Sequence, residues 1–205
     1  LPSRLFWDIY RAVLPGVPTE SAFATPILAW RVLGEFARLD DDPVWAPLGA
    51  YLDGTDDYGR YELARRIADT FDQYLVYRPE WIDDWEAGGA APDGAAGWQA
   101  ALWQRLSAVD ATHRARLHGQ FLAALDRLDA RPAGIPARLS FIGIPALPAA
   151  WLETLLGLAR WCEVDLYLLN PCAQFWGMIE SERTIARRAP EADHAALYLE
   201  TGNRL

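Results

Sequence analysis

The stretch from Tyr58 to Tyr77 constrains the fold more than any other part of the chain. Ala64, Ile67, Phe71, Tyr74 and Leu75 recur at the spacing of one helical face, while Arg65, Asp69, Asp72 and Val76 gather on the other. A run this long without a proline exceeds any ordinary strand. Arg78-Pro79 ends it, because Pro79 disfavours helix at the preceding residue while serving well as a first helical position. The next helix runs from Pro79 to Glu86 and carries Trp81, Ile82 and Trp85.

The same periodicity extends in both directions. Leu5, Phe6, Ile9, Val13 and Leu14 predict a first helix, stopped by Pro15-Gly16-Val17-Pro18. A second helix runs through Ile27, Trp30, Leu33, Phe36 and Ala37, with Thr25 as N-cap and Pro26 as first position. Asp40-Asp41-Asp42-Pro43 ends that helix, and a short apolar segment with Trp45, Leu48 and Leu52 closes on the turn Asp53-Gly54. Ala87 to Gly97 is a loop by composition. Two further helices follow, one with Trp98, Leu102, Trp103 and Leu106, the other with Leu117, Phe121, Leu122, Leu125 and Leu128.

At Pro132 the pattern changes. Arg138 to Gly143 reads as a buried strand, Leu147 to Trp161 as an apolar helix, and Val164 to Leu169 as a second buried strand. Strand, helix, strand is a βαβ crossover and predicts a parallel sheet. The fold class is therefore α/β and helix-rich. After Gly177 the chain is polar and weakly patterned.

Composition sets the remaining bounds. With 205 residues, 52% of them apolar, the chain can bury a core, and no apolar run is long enough to span a membrane. The opening LPSRLFWDIY has neither an initiator Met nor a signal-peptide pattern, so the chain reads as the inside of a longer, cytoplasmic protein. Cys162 and Cys172 have no histidine nearby and read as buried free thiols in a reducing compartment. A net charge of -9 argues against a whole-surface DNA binder but leaves room for a locally arginine-lined channel. All the Lys-plus-Arg residues are arginine, so no lysine can hold a nucleotide phosphate.

Catalytic patterns are absent from the sequence. His113, His118 and His194 lack metal-ligand spacing, and His118 reads as a residue on a helix surface. Asp53, Asp56 and Asp57 sit in a turn. The βαβ crossover carries Pro145-Ala146-Leu147-Pro148 where a phosphate loop needs glycines and a lysine. Most tryptophans stand at core spacing, and Trp7, beside Asp8, is the exception that could stack a nucleobase. Arg114, with Arg116 nearby, is equally a phosphate clamp or a solvated helix start, and Arg183, Arg187 and Arg188 read as polar surface.

The segment Phe71-Asp-Gln-Tyr-Leu-Val-Tyr-Arg-Pro79, followed by Trp81 and Trp85, resembles the RecC family, the gamma subunits of bacterial exodeoxyribonuclease V. Phe6-Trp7-Asp8, Glu20-Ser21-Ala22-Phe23, Trp98-Gln99, Leu102-Trp103 and His113-Arg114 occur in the family's order. So do Gly143-Ile144, Ala146-Leu147-Pro148, Asn170-Pro171-Cys172 and Trp176-Gly177. Two departures stand out: the Ala87–Gly97 loop is short for the family, and Thr70 stands where a larger apolar residue is expected.

The resemblance implies a fold similar to superfamily 1 helicases that has lost its ATP site. Residues 1–20 would close a first RecA-like segment and 21–135 form a helical insertion. Residues 136–177 would return to the RecA-like domain, leaving 178–205 as a polar segment. It implies RecB-like and RecD-like partner subunits that use ATP and magnesium, with no cofactor here. It further implies contact with single-stranded and forked DNA, and with the recombination hot-spot sequence Chi, in double-strand break repair. Asp69, Asp72, Gln73 and Arg78 then become base-edge readers, with Trp7 and Arg114 as further contacts. The residues alone leave Arg65–Asp69 as a plain ion pair and Asp72 as solvated. A protein scaffold without DNA contact, or part of an active helicase, are the competing readings.

Overall fold

The computed structural model describes residues 2–89, 97–144 and 146–169. Residues 170–205, with Cys172, Trp176, His194, the three arginines from Arg183 to Arg188 and the polar tail, lie outside them, as does most of the Ala87–Gly97 loop. The chain divides into two compact units, Leu1–Phe141 with Ala146–Leu166, and Ile142–Pro145 with Tyr167–Leu205. Almost everything described belongs to the first.

That unit is built from helices α1 (Pro2–Val13), α2 (Thr25–Phe36), α3 (Ala46–Leu52), α4 (Asp57–Tyr77), α5 (Pro79–Glu86), α6 (Gly97–Val109), α7 (Arg114–Leu125) and α8 (Ala149–Leu158). Strands β1 (Arg138–Ile142) and β2 (Glu163–Tyr167) flank α8 and pair with each other. Glu163 N–H donates to Ala137 O at 2.9 Å and Gly143 N–H to Tyr167 O at 3.2 Å, so both strands run the same way. The architecture is helix-rich with one small parallel sheet. No described helix is long and apolar enough to cross a membrane.

Local chemistry sets the boundaries. Asp56 starts α4 by accepting the Gly59 N–H at 2.8 Å, so one acid of the Asp53–Asp57 turn is a helix cap. Arg78 takes a non-helical φ of -141°, as a residue before proline must, and α5 opens on Pro79. Gly54 turns the chain out of α3 with φ +78°, and Gly88 out of α5 with φ +90°. His113 caps α7, its Nδ1 accepting from Arg116 N–H at 3.3 Å.

The main core joins α2, α3, α4, α5 and α6. Leu28, Ala29 and Val32 meet Ala64, Ile67, Ala68, Phe71 and Leu75, with Trp45, Leu48, Leu52, Ile82, Trp85, Leu102 and Trp103 filling the remainder. Phe71 is fully buried and stands edge-on to Trp103 at 5.3 Å, a favoured aromatic geometry. Elsewhere in the unit α1, α7 and α8 bury Phe6, Ile9, Tyr10, Leu117, Phe121, Leu125, Leu155 and Leu158.

Three expectations are corrected. Trp30, at core spacing in the sequence, is 64% exposed: the buried face of α2 is Leu28, Ala29 and Val32, with Leu33 and Phe36 packed partly against the same core. The N-cap of α2 is Ala24, without a side-chain hydrogen bond, not Thr25. Neither strand is buried throughout. In β1 only Leu139 and Phe141 point inward, and in β2 only Val164 and Asp165 are partly covered. Among the described residues helical cover is found on one face: Phe6 of α1 stacks on Trp151 of α8 and on Phe141. With cover on one side, β1 alternates in burial as a strand of an antiparallel sheet does.

Candidate nucleic-acid interface

A hollow of about 490 Å³ opens where α1, the α1–α2 connection, the end of α4 and the first turns of α7 and α8 meet. Its aromatic wall comes from Trp7 and Trp151. Its charged wall comes from Arg4, Arg11 and Arg114, opposed by Asp8 and Glu20. A smaller recess of about 280 Å³ adjoins it, lined by Asp72, Gln73 and Tyr77, and shares Ser3, Val76, Arg114 and Trp151 with the first. Arginines therefore outnumber carboxylates in the hollow, against the acidic balance of the whole chain. The first turns of α7 and α8 border it as well, and helix starts favour anions.

Side-chain geometry follows from helical spacing. Arg4, Trp7, Asp8 and Arg11 lie at i, i+3, i+4 and i+7, so α1 presents them together. Trp7 is held by its indole N–H donating to Pro18 O at 3.0 Å, which leaves the ring half-buried against the hollow. Arg11 lies 3.5 Å from Asp8. Arg114 Nη2 donates to Asp72 Oδ1 at 2.6 Å, bridging α7 to α4 with both side chains about a quarter exposed. Arg4 has no carboxylate partner among the described residues.

Beneath the hollow, Tyr10, His118 and Thr154 tie three helices together. His118 Nε2 donates to Glu153 Oε2 at 2.8 Å. Its Nδ1 stands 3.2 Å from Thr154 Oγ1 and 3.4 Å from the Tyr10 hydroxyl. Thr154 donates its own proton to Ala150 O at 2.8 Å. Burial pushes the Tyr10 phenol above its ordinary range, which keeps it protonated and able to donate. His118 is thus mostly covered and cross-links helices, a correction to its reading as a surface residue.

Of the residues singled out from sequence, the structure gathers Trp7, Asp72, Gln73 and Arg114 around these adjoining hollows. It places Asp69 and Arg78 elsewhere. Asp69 pairs with Arg65 at 3.7 Å, and Arg78 sits 3.8 Å from Glu80 with its guanidinium over the Trp81 ring at 5.5 Å. Arg116 is drawn to Glu86 at 2.7 Å and borders neither hollow. Arg4, Arg11 and Trp151 were not anticipated, and His118 was read only as helix surface. The α1 stripe could have revealed the two arginines, whereas Trp151 arrives only through tertiary packing. Among the described residues no group of His, Cys, Asp and Glu side chains could hold a metal.

Comparison with known proteins places the chain in a family. The family model described as "RecC, N-terminal domain" matches residues 1–205. The RecBCD enzyme subunit RecC of Escherichia coli (strain K12) is 36% identical over 91% of this chain and 18% of its own length. That of Haemophilus influenzae is 35% identical over 89% of this chain and 19% of its own, and that of Mycolicibacterium smegmatis 31% over 89% and 17%. The chain spans about a fifth of the length of these relatives. With a family match along its whole sequence and relatives above 30% identity over most of it, this chain belongs to the RecC family, through the N-terminal domain.

Proposed function

We propose that the chain is part of a non-catalytic, DNA-gripping subunit of a RecBCD-type helicase–nuclease, and that the hollow between α1, α4, α7 and α8 takes single-stranded DNA. In this reading RecB-like and RecD-like subunits use ATP and magnesium in the cytoplasm, and this chain senses the strand they deliver from the fork. Its helices from residue 21 onward form an insertion in an inactive RecA-like domain, to which β1, α8 and β2 return. The observation that carries the reading is the convergence of Trp7, Arg4, Arg11 and Arg114 on one hollow in a chain of net charge -9.

Trp7 supplies a stacking platform, worth about 1–3 kcal/mol per base. The arginines take phosphates, and Asp72 with Gln73 offers an acceptor and an amide to exposed base edges. Asp72 engages Arg114 through Oδ1, so Oδ2 is the atom that would accept from an amino group such as that of cytosine. A carboxylate beside phosphates raises the electrostatic cost of binding, which makes sense where it discriminates among bases. Readout of the Chi sequence is the specific form of this proposal, with Asp69 and Arg78 as outlying contacts.

The test uses the complete subunit assembled with its partners. Trp7→Ala should weaken single-strand binding by about tenfold, the loss of one stacked base. Asp72→Ala should leave general affinity close to wild type while removing the response to Chi. Unchanged binding and unchanged Chi response in intact complexes would overturn the assignment.

A further inference from the structure

The smaller recess holds an aromatic ring that nothing in the unit uses. Tyr77, at the end of α4, is 60% exposed. Among the described residues its ring packs on no other aromatic ring and its hydroxyl has no hydrogen-bond partner. Tyr74, one turn earlier, differs on both counts: it packs on Phe71, Trp81 and Trp85, and its hydroxyl donates to Gln99 Oε1 at 3.1 Å. Tyrosine combines a large apolar face with a polar tip, a combination that binding surfaces favour. At about 280 Å³ the recess lies near the lower end of small-molecule sites, roughly 300–1,000 Å³, and suits one nucleoside.

Helical spacing explains which side chain meets which hollow. Gln73 and Tyr77 are four residues apart and share one face of α4, with Asp72 and Val76 on the next. Val76 borders both hollows, whereas Asp72, Gln73 and Tyr77 border the recess alone. Trp7 borders only the larger hollow. Trp151 borders both, but one face of its ring is taken by Phe6 at 4.7 Å. Arg114 also borders both, held there by Asp72 at 2.6 Å. A guanidinium has five N–H donors and this bond uses one, so donors remain for a phosphate. Each hollow thus has a ring of its own, with an arginine common to the two. Base, phosphate, base is the order of groups along a nucleic-acid strand.

We infer that Tyr77 is a second stacking platform, which receives the base next to the one on Trp7 while Arg114 holds the phosphate joining the two nucleotides. The inference rests on the reading that the larger hollow takes single-stranded DNA, and extends it to a site for two consecutive nucleotides. Stacking on an aromatic ring accepts any base, because every base has a π-face. Discrimination then falls on the edge of the second base, since the Asp72 Oδ2 left by Arg114 and the Gln73 amide belong to the same recess as Tyr77. The Trp7 side grips without choosing, and the Tyr77 side chooses.

The experiment uses the complete subunit assembled with its partners and a forked duplex bearing an oligothymidine arm. ATP is left out, so that the strand keeps one register. Nucleotides of the arm are replaced one at a time by abasic residues, and binding is measured for wild type, Trp7→Ala, Tyr77→Ala and Tyr77→Phe. Tyr77→Ala should weaken binding about tenfold, and Tyr77→Phe, which keeps the ring, should restore most of the affinity. One abasic position should make Trp7→Ala silent, and its immediate neighbour should make Tyr77→Ala silent. Three results would overturn the inference and leave the strand reading standing: Tyr77→Ala without effect beside a weakened Trp7→Ala, Tyr77→Phe as weak as Tyr77→Ala, or silent positions that are not neighbours. Binding unchanged in both alanine variants would strike the strand reading, and the inference with it.

Discussion

Replacing Glu86 by alanine should destabilise the helical unit by about 3–5 kcal/mol. The Glu86 side chain is only 11% exposed and receives donors from three sides. Its Oε1 accepts from His113 Nε2 at 2.7 Å and from the Trp103 indole at 3.2 Å, and its Oε2 from Arg116 at 2.7 Å. His113 and Trp103 have no exposed surface, so truncating Glu86 strands two donors where water does not reach. Each stranded donor costs about 1–3 kcal/mol. Arg116 is 45% exposed and rehydrates, so its share is below about 1 kcal/mol. Urea denaturation followed by tryptophan fluorescence reads the loss, with the slope against denaturant held constant. Exchanging His113→Phe on top of Glu86→Leu removes one orphan together with its acceptor and should recover part of the stability. A loss under about 1 kcal/mol for Glu86→Ala, or no recovery in the double variant, would refute the reasoning.

Other outcomes follow from the same geometry. Burial lowers the His113 pKa from its ordinary 6.5, against the pull of Glu86 in the other direction. The unfolded chain thus takes up the proton first, and this residue's contribution to stability falls as pH drops below about 6.5, through the folded value. His113→Gln should flatten that part of the melting-temperature profile relative to wild type. Phe71→Ala should cost about 3–5 kcal/mol in chemical denaturation, because Phe71 is completely buried against Trp85 and Trp103. Gly34→Ala should raise the stability of the unassembled subunit by about 0.5–1 kcal/mol, since the new methyl meets nothing. Asp69→Ala should change stability by less than about 0.5 kcal/mol, its pair with Arg65 being exposed and 3.7 Å long.

Much of the fold was legible because punctuation and periodicity agreed. Pro79, Gly54 and the acids before α4 mark boundaries through backbone chemistry that needs no tertiary partner. In α4 the choice of face was unambiguous, because Ala64, Ile67, Phe71 and Leu75 form the one wide apolar stripe the helix has. In α2 periodicity found the helix but not its inner side, because residues on both sides are apolar; Leu33 and Phe36 pack against the core while Trp30 stays exposed. The strands were misread for a related reason. Continuous apolar residues imply cover on both faces, and the described residues provide helices on one. Within the site, Trp7, Asp72, Gln73 and Arg114 were legible as chemistry-bearing side chains. Their meeting depends on how α1, α4 and α7 pack, which also separates them from Asp69 and Arg78. The buried role of His113 was hidden because its acceptor, Glu86, lies 27 residues away in sequence.

The salt dependence of single-strand binding tests the central claim most directly. In the assembled complex, the logarithm of affinity falls with the logarithm of salt concentration by about 0.7 for each phosphate contact on a single strand. Removing Arg4, Arg11 and Arg114 together by alanine should make that slope shallower by about 2, while assembly stays intact. A slope identical to that of the wild-type complex would mean that no strand passes through this hollow.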